Sequence, residues 1–222
     1  MNLLAKLRRT WLQVRETRKN EADLRETSRT YVDLVDIIFA IIVAESFLRL
    51  VDLGTSIPPF PAAVLLVSYV AVVMSWVGYH KSVRAQPHRN WYRFVIDLAI
   101  LPVYLMLVTF YNDFSLILWT YALMFALYWL WGILKSVEYA GEIRRYIRRI
   151  PYFVAAFIVA TGYLPLRKLA SARDASMGVV VDWSLLAMTL VMVVSYRLEP
   201  WKRVHDRRAH RHDVRVKPSD RT

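Results

Sequence analysis

The sequence predicts an all-α, polytopic membrane protein with six transmembrane helices, and three observations carry that prediction. The 222-residue chain is 56% hydrophobic yet has a formal net charge of +12, and grease and charge are segregated along it. Apolar runs near the roughly 20 residues needed to cross a bilayer recur at 31–50, 61–79, 91–111, 114–134, 150–166 and 178–196. Lys and Arg gather between the runs, in the arm before the first, in the links 81–89 and 135–149, and after Arg197. Threaded in order, these basic segments fall on one side, so the positive-inside rule puts both termini in the cytoplasm. The chain divides into a basic cytoplasmic arm (1–30), a six-helix transmembrane domain (31–197) and a basic cytoplasmic tail (198–222).

In the arm, Leu3, Leu4, Leu7, Trp11 and Val14 recur at helical spacing among Lys6, Arg8, Arg9 and Arg15. That pattern fits an amphipathic helix on the inner membrane surface, or an arm that packs on its own oligomer. No apolar run follows these charges closely enough for a signal peptide. The first span is apolar but keeps Asp33, Asp36, Glu45 and Arg49. Ionisable groups at membrane depth cost several kcal/mol unless they are paired or face protein or water, so this helix is the candidate for an ion or proton path. The short outer links 51–60 and 112–113 lack Lys and Arg, in keeping with the threading, and the Asn112-Asp113 pair makes the third and fourth spans a tight hairpin. Residues 137–150 read as a basic amphipathic helix entering the fifth span. That span is the weakest, a candidate buried or re-entrant segment, because Pro151, Gly162 and Pro165 sit near its ends. An outer link at 167–177 carries Arg167, Lys168 and Arg173 against the charge rule. The polar tail is expected to fray one or two turns after Glu199. Its His205, His210 and His212 match no closed metal motif, so no metal and no cofactor is assigned.

Two constellations carry the functional reading. Antiparallel threading brings Asp33 and Asp36 of the first span to the depth of Trp76, His80 and Lys81 at the end of the second and Arg93 and Asp97 at the start of the third. Acids and bases at one level can pair, which removes much of the cost of holding them in low dielectric. Farther out, Ile37, Ile41, Ala44, Glu45 and Leu48 share a face of the first helix. A narrow apolar constriction of that kind expels water and stops ions, and a stripe meant only for lipid would not include Glu45. Arg49, four residues on, is the nearest partner for that carboxylate.

These residues resemble a known family. Asp36-Ile-Ile-Phe39-Ala40-Ile41 is similar to the first-helix signature of the transmembrane protein 175 family, Phe-Ser-Asp, two residues, then Phe-Ala-Ile. Trp76-Val-Gly-Tyr-His80-Lys81 resembles that family's Trp-x-x-His-His-Arg. Leu34 and Val35 stand where the family has Phe and Ser, Tyr79 where it has the first His, and Arg29 one place early. The resemblance to bacterial members implies a homotetramer in the cytoplasmic (inner) membrane. Its first helices would line a potassium-permeable pore constricted at Ile41, five residues after the signature Asp.

Alternatives from other classes remain beside the channel. One is a proton-coupled transporter or proton pathway through Asp36, Glu45 and Asp97, with Pro102 as the candidate helix break. Another is a non-conducting membrane anchor or interaction protein. A voltage-gated plan lacks its Arg-bearing fourth span and its filter loop. No intramembrane enzyme motif is present, so the chain is not expected to be an enzyme. The basic residues flank spans, where they serve topology and attract anionic lipid headgroups, which argues for a lipid partner rather than nucleic acid.

Overall fold

The computed structural model describes residues 29–51, 58–85, 91–138, 147 and 149–216, with backbone alone at 84–85, 138 and 199–216. Residues 1–28 of the basic arm and 139–146 of the basic link lie outside them, as do the side chains of the three tail histidines. The described residues form six helices: α1 (29–51), α2 (Pro59–Ala85), α3 (Trp91–Thr109), α4 (Phe114–Glu138), α5 (Ile150–Arg173) and α6 (Ala175–Val216). Five of them, α2 to α6, are long and apolar enough to cross a membrane, which makes the chain an integral membrane protein. The remaining helix, α1, has spanning length but carries the charges that set it apart from the others.

Helix ends follow local chemistry. Pro59 starts α2, where the N–H it lacks has no intrahelical partner to lose. The α3–α4 hairpin closes on Asp113, whose backbone N–H reaches Phe110 O at 2.9 Å and whose Oδ1 accepts the Leu116 N–H at 3.0 Å, capping α4. Between α5 and α6 a single extended residue, Asp174, makes the turn. Its N–H donates to Ala170 O at 3.1 Å, and its Oδ1 accepts the Ser176 N–H at 2.9 Å. Gly178 permits the close return, since a Cβ there would run into Ser171 Oγ.

Three boundaries correct the sequence expectation. The fifth span is neither short nor re-entrant: α5 runs on from Ile150 through Pro165 to Arg173, so Arg167, Lys168 and Arg173 are helical and the expected link 167–177 shrinks to Asp174. The stretch after Leu166 holds good helix formers and neither Gly nor Pro, so extending the helix is cheaper than ending it. The same reasoning applies to the tail. Past Pro200, residues 201–216 lack Gly and Pro, and α6 continues to Val216 instead of fraying one or two turns after Glu199.

Contacts between helices close a ring: α2 on α3, α3 on α4, α4 on α5, α5 on α6, and α6 back on α2. Its centre is packed by Val64, Leu65, Leu107, Ile117, Tyr121 and Phe125, all essentially inaccessible. Water does not drive association between membrane helices, so close packing must, and the buried Ala156 and Ala160 let α5 approach its neighbours. The α1 helix lies outside the ring against α2 and α3. Val35, Phe39 and Ile42 bury there, with Phe39 5.2 Å from the Tyr104 ring and Tyr31 stacked 4.1 Å from Phe94. Up-and-down threading gathers Asp36, His80, Arg93, Lys135, Arg149 and Arg197 toward one end, the basic end.

Candidate functional site

At the basic end Asp36 is the junction of α1 and α2. One oxygen, Oδ1, takes both the Trp76 Nε1–H at 3.0 Å and His80 Nε2 at 2.7 Å. Trp76 and His80 are four residues apart, on one face of α2, and their rings meet edge to face at 5.5 Å, so each orients the other toward the carboxylate. Asp33, one turn earlier, is exposed, and so is Lys81. The polar layer continues on α3. Arg93 is fully buried and Asp97 nearly so, one turn apart. The Arg93 guanidinium and the Lys135 ammonium each lie 5.1 Å from the Trp131 ring, and Lys135 donates to Ser82. Asp36, Asp97 and Arg93 all lie within electrostatic reach of the Tyr79 hydroxyl. Charges from α1, α3 and α4 thus surround the end of α2, a layer that neither lipid nor an apolar core would hold alone.

The second constellation faces the other way. Ile37 and Ile41 are each 61% exposed, on the side of α1 turned from its own bundle. Leu34, Ile37, Ile41, Ala44, Leu48 and Val51 are all exposed, at alternating spacings of three and four. That is the spacing of a seam between helices. Val35, Phe39, Ile42 and Ser46 form the opposite, buried stripe. Glu45 lies on the margin of the exposed seam and pairs with Arg49 at 2.7 Å, while Arg49 also reaches Thr109 O at 3.5 Å. The seam and the basic-end cluster are separate: Asp36 turns toward α2, and Ile41 does not.

One polar cluster escaped the sequence reading. The Arg197 guanidinium, on α6, donates to Ser75 Oγ at 2.6 Å and stacks 4.2 Å from the Tyr128 ring. Ser75 bonds Tyr128, and Tyr128 bonds Tyr104. Beside it, Arg149 donates to the Tyr196 hydroxyl at 3.2 Å. Among the described residues no carboxylate pairs with Arg197; the Ser75 hydroxyl and the faces of Tyr128 and Tyr196 hold it. At the opposite end of the bundle Arg167 Nε pairs with Asp182 Oδ2 at 3.2 Å, tying α5 to α6.

No protein family, curated protein or solved structure matches the chain.

Proposed function

We propose that the chain is one subunit of a homotetrameric, potassium-permeable cation channel of a bacterial cytoplasmic membrane, with both termini in the cytoplasm. In this reading α1 is the sixth transmembrane span and lines the pore. The observation that supports it is the exposed seam of α1, apolar along its length and bordered by the exposed Asp33 and the part-exposed Glu45 and Arg49. Lipid satisfies the apolar residues but penalises the charges by several kcal/mol each. Water satisfies the charges and not the seam. Four copies of α1 around a wet axis satisfy both, because the isoleucines meet one another and the charged margins reach the lumen.

Ile41 then forms the constriction, a ring of branched side chains that closes by dewetting. The part-exposed pairings of Asp36 with Trp76 and His80 fix the rotation of α1, so that Ile41 and not Phe39 points to the axis. A transporter built on broken helices has less support, since α3 and α5 run unbroken through Pro102 and Pro165. The basic arm and tail meet anionic headgroups of the inner leaflet at roughly 1 kcal/mol per charge near the surface.

Cysteine cross-linking tests the assembly, because the chain has no cysteine of its own. Ile41→Cys oxidised in native membranes is expected to give covalent dimers, whereas Ile158→Cys, exposed on α5, is not. Absence of Ile41 cross-links in membrane-inserted protein would sink the assembly. Potassium efflux no faster than from empty liposomes would sink conduction.

A further inference from the structure

Arg197 closes a connection that runs from α6 to α1. Along α2 the Ser75 side chain and the bare Cα of Gly78 face Arg197, while Trp76 and His80 turn toward Asp36. At about 100° per residue these two pairs lie on nearly opposite sides of α2. The helix is therefore clamped between a guanidinium and a carboxylate over less than two turns. A second route passes through rings: Arg197 on Tyr128, Tyr128 to Tyr104 through their hydroxyls, and Tyr104 on Phe39 of α1.

Close fit marks the contact on the α6 side. A Cβ on Gly78 would stand 2.9 Å from Arg197 Nη1, nearer than carbon and nitrogen tolerate without a shift. The guanidinium thus lies directly on the backbone of α2, held by one hydroxyl and by the faces of Tyr128 and Tyr196, whose centroids are 4.2 and 5.7 Å away. Arg is suited to this place, since its planar fork stacks on rings and donates in plane at once, which a lysine cannot do.

We propose that Arg197 is a positioning residue that holds the basic-end half of α1 in its seat, acting through α2 and through the Tyr128–Tyr104 pair. The seat is a property of a single chain; only its consequence for ion flow rests on the channel reading above. Moving the guanidinium shifts Ser75 and Gly78 and, on the far side of the same helix, Trp76 and His80. Asp36 follows, and with it the angle at which the seam leaves the bundle.

The test uses two single-cysteine chains, Leu34→Cys near the basic end of α1 and Val51→Cys at its other end, each spin-labelled in liposomes. Each is compared with Arg197 intact, with Arg197→Leu and with Arg197→Lys. Arg197→Leu is expected to speed label motion at position 34 several-fold and to leave position 51 unchanged. Arg197→Lys should restore part of the difference, since an ammonium still reaches Ser75 and the Tyr128 face. Unchanged motion at 34 would overturn the proposal, and so would equal loosening at 34 and 51, which marks general loss of fold. If Arg197→Leu does not insert, Gly78→Ala displaces the guanidinium with a single methyl group and should give the same pattern at smaller amplitude; no change at 34 there is equally decisive. Oxidative cross-linking of the unlabelled cysteines reports separately on whether copies of α1 meet. Its failure would remove the channel reading and leave the label result to stand.

Discussion

Asp36 concentrates two donors on one oxygen, and its removal leaves an indole N–H and an imidazole facing a gap between α1 and α2. Stranding such groups costs about 1–3 kcal/mol, and solvent access on one side keeps the value toward the lower end. Asp36→Ala is therefore expected to lower the thermal midpoint and to weaken assembly. Asp36→Asn, which keeps an acceptor oxygen, should lose less. Melting curves in one detergent, with size-exclusion profiles, check both, and an Asp36→Ala protein that melts like wild type would remove Asp36 as the junction. This contact was legible in the sequence because counting along antiparallel spans sets Trp76 and His80 level with Asp36. The Arg197 cluster was not, and the reason is chemical. Ser75, Tyr104, Tyr128 and Tyr196 are ordinary residues of apolar spans, each on a different stretch of chain. Nothing in spacing shows that four hydroxyl-bearing side chains converge on the arginine that ends the sixth apolar run.

Among elements, the turn between α5 and α6 shows how one residue replaces a loop. Three basic residues after Leu166 read as a solvated link, yet they extend a helix whose stop signal is Asp174. Its exposed carboxylate accepts the Ser176 N–H, and at 2.7 Å the Ser176 hydroxyl, which together hold the Asp174 carboxyl below its ordinary range. A carboxyl whose value is depressed by folding adds stability above its unfolded value, near 4 as a rough figure, and loses it as pH falls through the lower folded value. Asp174→Ala is expected to lower the thermal midpoint at neutral pH, and the deficit should shrink as the pH is taken below the carboxylate range. A deficit that stays constant with pH would show that the cap acts without its charge. Helix number and order were legible from hydropathy, because five of the helices each hold an apolar stretch long enough to cross a membrane. Helix ends were not, since they depend on whether Asp174 caps and whether residues 201–216 contain a breaker.

For the whole molecule the question is which residues limit flow. A dewetted constriction and a proton path predict opposite sensitivities in this chain, because the first works through apolar side chains and the second through titratable ones. Ile41 is exposed away from the bundle, whereas Asp36 is committed to Trp76 and His80 and Glu45, at the margin of the seam, to Arg49. If Ile41 closes the pore, Ile41→Ala widens it and raises leak, and Ile41→Asn hydrates it and raises potassium flux several-fold further. Glu45→Gln then changes flux modestly, through the field at the mouth of the pore. A proton path reverses the order: Glu45→Gln and Asp97→Asn remove the groups that carry the proton and abolish transport, while changes at Ile41 matter little. Potassium and proton fluxes measured side by side in liposomes on these four variants separate the two. We expect Ile41 to dominate potassium flux. Loss of transport confined to the carboxylate variants would reject the constriction, because a gate made by excluded water has no proton to lose.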